Sequence, residues 1–176
     1  MKNRPDIFFW IALIFLVLIF CPDFSSAQKL EQTLSNLCKV FSGVEKVGII
    51  YADPSFEKEL KVLEANAKEL KITLIEKKVA SIHEVPPNTR DLIGKIDTLM
   101  VVDDWVIKVP DAFNYIMLTA LQNNWKTIVP REELLTRGGL FYTSEKGEIV
   151  VNKRIMQFLK LTPKEDSPKI TFRGEE

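Results

Sequence analysis

Histidine and cysteine are nearly missing from this chain, which has one histidine, His83, and two cysteines, Cys21 and Cys38, among 176 residues. A zinc centre assembled from imidazoles and thiolates therefore lacks its ligands, and the expectation is neither a metal nor a cofactor. Net charge is lacking too: 24 basic residues stand against 24 acidic ones, so no electrostatic footprint for nucleic acid is present. The apolar run from Ile7 to Phe20 would make about 21 Å of helix at ~1.5 Å per residue, short of a ~30 Å hydrocarbon core. Lys2 and Arg4 precede that run and Ser25-Ser26-Ala27 follow it, the shape of a secretory signal peptide cleaved after Ala27. Export to the periplasm or beyond is the expectation, with an uncleaved N-terminal membrane anchor as the alternative. Ile19-Phe20 are too bulky for a lipidation box at Cys21. Cleavage leaves Cys38 as the remaining cysteine, unable to form an internal disulfide; it is either buried on an apolar helix face or free to pair between chains.

What is present is alternation. Leu30, Leu34, Leu37, Cys38 and Phe41 recur at helical spacing up to a stop at Gly43. Val44 to Ala52 is a β-branched strand ending at Asp53-Pro54-Ser55, where Ser55 is expected to cap a helix whose apolar face is Leu60, Leu63, Ala67 and Leu70. Ile72 to Ala80 reads as a strand near a sheet edge. Val85-Pro86-Pro87-Asn88 is expected to interrupt the chain before a short helix over Thr89 to Ile96. Thr98 to Val102 is an apolar strand covered on both faces. Pro110 opens a helix running to Trp125, Thr127 to Val129 is a short strand, and Arg131 to Arg137 is a helical turn or two. Leu140 to Thr143 is the last core strand, and Ile149, Ile155, Met156 and Leu159 mark a closing helix.

Strands and helices alternating with connections too long for hairpins imply a parallel sheet with right-handed crossovers. The expected fold is α/β, doubly wound, with a mostly parallel five-stranded sheet in the flavodoxin-like order 2-1-3-4-5 and helices on both faces. Residues 1–27 form the leader, 28–161 a single lobe, and 162–176 a polar tail or a short edge strand at Lys169 to Phe172. Such sheets bind ligands at the carboxyl ends of their strands, where the strand order reverses. That rule brings together Asp53-Pro54-Ser55 and Asp103-Asp104-Trp105, the loops after the first and third strands.

The segment from Lys29 to Lys160 resembles the second half of the ABC-transporter substrate-binding proteins of the tryptophan/tyrosine type, a periplasmic-binding-protein family. The resemblance lies in LEQTLSNLCKVFSGVEKVGIIYADPS, VLEANAKELKITLIEKKV, DTLMVVDDWVI and RGGLF, in the family's order. Lys71 stands where the family places glycine, Trp105 where it places a small polar residue, and its first lobe has no counterpart. The resemblance implies a non-enzymatic, exported solute-binding or sensory accessory holding a small, amino-acid-like ligand. A homodimer or partner lobe would supply the rest of the cleft, and a membrane transporter or sensor is a possible partner. The implied site residues are Asp53, Ser55, Asp103, Asp104 and Trp105, with Asp104 matching the family's acid and Ser55 falling in its ligand-facing loop. A carboxylate there can receive an ammonium, a serine hydroxyl and helix amides can receive a carboxylate, and an aromatic can cover the apolar part.

Other readings stay open: Ser55 as a cap only, Asp104 as a hydrogen-bonded turn residue, Trp105 as packing. The alternative function is a protein-interaction module of the cell envelope that kept the fold and lost the ligand, with Trp105, Val106 and Ile107 as its contact patch. A phosphoryl-receiving site using Asp53, Asp103, Asp104 and Lys146 is opposed by export. Arg131 and Glu132 are candidate rim residues, and His83 reads as a surface residue.

Overall fold

A computed structural model describes residues 26–174. The expected leader lies outside these residues, apart from Ser26 and Ala27, which begin helix α1 (Ser26–Val40). Gly43, at φ 66°, takes the chain out of α1 in the left-handed conformation that glycine adopts without strain. Then follow β1 (Lys46–Tyr51), α2 (Phe56–Glu69), β2 (Thr73–Lys78), α3 (Val85–Asp91) and β3 (Thr98–Val101). The chain continues through α4 (Trp105–Lys108), α5 (Pro110–Gln122), β4 (Lys126–Ile128), a 3₁₀ helix (Glu132–Arg137) and β5 (Phe141–Thr143). It closes with β6 (Ile149–Asn152), α6 (Lys153–Phe158) and β7 (Ile170–Arg173).

The described strands form one sheet in the order β2-β1-β3-β4-β5-β6-β7. The first five keep the expected 2-1-3-4-5 order and run parallel, with Val47 opposite Thr98 and Ile49 opposite Met100. The sheet has seven strands rather than five. β6 pairs antiparallel with β5 after a turn in which Ser144 N donates to Glu148 O, and β7 pairs parallel with β6. Ile149 thus belongs to a strand and not to the closing helix, which begins only after Asn152. Ile170–Arg173 takes the edge-strand alternative for the tail.

Period-two alternation divides the core. Val47, Ile49, Tyr51, Met100 and Phe141 point to the face covered by α1 and α2. Ile50, Leu99, Val101 and Val129 point to the opposite face, against Leu92, Phe113, Ile116 and Trp125. β1 lets α3 and its following turn come close through Gly48, where a Cβ would meet Ile96 Cδ1 at 2.7 Å. α3 starts earlier than expected and carries Pro86 and Pro87 in its first turn, where a missing N–H leaves no helical bond unmade.

Candidate functional site

β2 lies on one side of β1 and β3 on the other, so the chain leaves β1 toward one face and β3 toward the other. The divergence opens a cavity of about 220 Å³ at the carboxyl ends of β1, β3, β4 and β5. Asp53, Ser55 and Phe56 line it after β1, and Asp103 and Asp104 after β3. Lys29, Leu30 and Thr33 of α1 cover it, Glu59 of α2 flanks it, and Thr143 closes it from β5. Four of the five expected site residues therefore share one cavity. Trp105 does not line it; it is half-buried and packs on the core of the other face.

The two adjacent acids have different environments. Asp104 is 6% exposed, and each of its oxygens is engaged: Ala52 N donates to Oδ2 at 2.6 Å and Val106 N to Oδ1 at 2.8 Å. One carboxylate thus joins the end of β1 to the first turn of α4, which it caps. Burial pushes the Asp104 carboxyl above its ordinary value, and hydrogen bonds from the amides of Ala52, Val106 and Asp53 pull the other way. Asp103 is about half exposed at the rim, with Arg131 Nε 3.5 Å from its Oδ2. Arg131 also reaches Glu133 at 3.1 Å, while Glu132 pairs with Arg173 at 2.9 Å.

Ser55 does not cap α2 as expected. It already has helical backbone angles and its hydroxyl makes no capping bond. Asp53 acts instead: its Oδ1 accepts from Ser55 N at 2.8 Å, and its carbonyl accepts from Phe56 N at 3.1 Å. The Ser55 amide and hydroxyl hold the Asp53 carboxyl below its usual value. A contact patch of Trp105, Val106 and Ile107 is also not available, because Val106 and Ile107 are each 2% exposed and face the core.

Lys146 lies in the exposed β5–β6 turn, outside the cavity with the acids. His83 is exposed, in a 3₁₀ turn before α3. Cys38 is half-buried and its thiol is shifted upward, first by burial. Sequence reasoning missed Lys29, Thr33, Glu59 and Thr143. Their signal was topological: α1 runs antiparallel to β1 and so brings its first turns to the ligand end, and β5 ends beside them. Among the described residues, no group of histidine, cysteine and acidic side chains is placed to hold a metal ion.

Residues 23–142 match the family described as ABC transporter substrate binding protein, and the chain belongs to that family. Its fold is similar to the ABC domain in complex with L-Trp from Streptococcus pneumoniae, with a TM-score of 0.69 at 16% identity, over 81% of this chain and 60% of that one. A conserved domain protein from Vibrio cholerae matches with a TM-score of 0.67 at 16% identity, over 82% of this chain and 60% of that one. The ligand-free, open structure of a substrate-binding protein with adhesive properties from Clostridium difficile matches with a TM-score of 0.66 at 18% identity, over 81% and 59%. The chain thus spans about 60% of the length of these solved structures. No curated protein matches the sequence. Among the described residues, no helix is long and apolar enough to cross a membrane.

Proposed function

We propose that this protein is an exported, non-catalytic solute-binding or sensory accessory of the cell envelope, holding a small, amino-acid-like ligand in the cavity at the switch point. Residues 1–27 act as the cleaved leader, residues 28–161 as the binding lobe, and 162–176 as a polar tail that returns to pair its Ile170–Arg173 strand with β6. The observation that carries the reading is the convergence of Asp53, Ser55, Asp103 and Asp104 on one partly apolar cavity at the end where doubly wound sheets take ligands. The pneumococcal neighbour solved with L-Trp supports a ligand of this size. At about 220 Å³ the cavity lies below the ~300–1,000 Å³ range of pockets that bury a drug-sized ligand. A second surface, from another copy or from a partner lobe, completes the enclosure. Light scattering on the chain with and without a pool of amino acids tests this: mass near that of a dimer, favoured by the pool, is expected. A monomer indifferent to the pool sinks it.

One observation favours a second reading. Both oxygens of Asp104 are taken up by backbone amides, as in an acid kept only for structure. On that reading the lobe is an interaction module without a ligand, and calorimetric titrations with amino acids stay silent while complex formation persists.

A further inference from the structure

The cavity wall is acidic for its size. Among the described residues, Asp53, Asp103 and Asp104 line it, with Glu59 at its flank, and Lys29 is the lining cation. The Lys29 ammonium lies 5.6 Å from the centroid of the Tyr142 ring, a weak attraction between cation and ring face. Arg131, beyond the rim, pairs with Glu133 at 3.1 Å and lies 3.5 Å from Asp103 through an Nε that makes no hydrogen bond.

The helix terminus that could receive a carboxylate is also engaged. At the start of α2, Ser55 N donates to Asp53 Oδ1, Phe56 N to Asp53 O and Glu57 N to Pro54 O. Glu57 and Glu59 then place two acids in the first turn, offsetting the positive end of the helix dipole. A ligand carboxylate arriving here meets neither a free amide nor an unshared cation at the α2 end.

An independent feature marks the cavity as built for an occupant. Thr143 is 1% exposed and lines it from β5, yet its hydroxyl oxygen has no hydrogen-bond partner. Buried hydroxyls are nearly always satisfied, and leaving one unpaired is costly. Strand alternation places Thr143 on the same side of the sheet as Phe141, the side of α1 and α2 where the cavity opens. Leu30, Phe56, Val102, Ile128 and Val129 supply the apolar part of the wall, beside the hydroxyls of Thr33, which donates to Lys29 O, and Ser55.

We infer that the cavity takes a compact organic monocation, an amine with an apolar body and no carboxylate, whose ammonium donates to Thr143 Oγ1 and is balanced by the acidic wall. This rests on the reading that the cavity holds a small ligand and changes the class of that ligand from zwitterion to cation.

The test is calorimetric titration of the full chain with three probes that share one apolar body: 2-phenylethylamine, L-phenylalanine and 3-phenylpropanoate. The expected result is binding of the amine at least tenfold tighter than of phenylalanine, with no heat from the acid. Phenylalanine binding as well as or better than the amine overturns the inference and leaves the solute-binding reading standing. Silence from all three overturns both. Thr143→Val is expected to weaken amine binding about tenfold without moving the thermal midpoint by more than a few degrees. Asp103→Asn, at an exposed position, is expected to weaken the amine severalfold and to leave folding intact. Amine affinity unchanged in both variants would refute the assignment.

Discussion

Lys71 holds a backbone φ of 60°, a conformation that costs a residue with a Cβ about 1–2 kcal/mol and glycine almost nothing. It follows α2, at the position where the sequence resemblance implied glycine, and the left-handed backbone there is the physical reason a glycine fits. Lys71→Gly is expected to stabilise the protein by about 1 kcal/mol, raising the thermal midpoint by roughly 2–4 °C for a domain of this size. A scanning-calorimetry midpoint at or below that of the parent would refute it. Asp91 makes the second case. Hydrogen bonds from Lys77 and then Lys95 hold its carboxyl at about 2, below the usual carboxylate range. The folded value is the depressed one, so the contribution is whole above pH ~4 and is lost as pH falls toward 2. Asp91→Asn should therefore flatten the acid limb of a stability–pH curve in that window while changing little at neutral pH. An unchanged acid limb would show that the pairing is screened away by solvent.

At the scale of elements, the strand order and the switch point were legible, because apolar period and connection length report directly on crossover topology. The parts that were not legible each depended on a neighbour. Ile149-Val150-Val151 is too short an apolar run to separate strand from helix by period, and only its pairing with β5 decides. Ser55 looked like a cap because a small hydroxyl before an apolar-periodic segment is the usual signal, but Asp53 two residues earlier closes the turn first. Asp103 and Asp104 could not be told apart until α4 turned one inward. That inward acid joins two elements, so Asp104→Asn should leave one buried amide, at Ala52 or Val106, facing an NH₂ group. The expected cost is about 1–3 kcal/mol in chemical denaturation, against roughly 0.5 kcal/mol or less for Asp103→Asn. Equal costs for the two would remove the stapling role.

For the whole molecule, β6, α6 and β7 extend the sheet past Tyr142, where the family match ends. They are not loosely attached. Lys164 N donates to Val40 O at 2.8 Å and Lys164 Nζ to Cys38 O at 2.7 Å, tying the segment before β7 to the end of α1, and Ile170 packs on the α1–α2 face. Ending the chain after Leu161 strips the ladder from β6 and uncovers that face. At about 1 kcal/mol per lost bond, a fall in thermal midpoint on the order of 10 °C is expected. A truncated chain that melts like the parent would show the segment to be dispensable to the fold.

The central placement of β1 and β3 sets a clock for amide exchange. Each has a parallel neighbour on both sides and helices above and below, so their N–H groups reach water only when the sheet itself opens. β2 and β7 each border one strand only, with a free edge on the other side, and can open locally. Deuterium should therefore enter the two edges first and the Val47–Ile50 and Leu99–Val101 segments last. Any ligand that bridges the β1 and β3 loops should slow that last phase most of all.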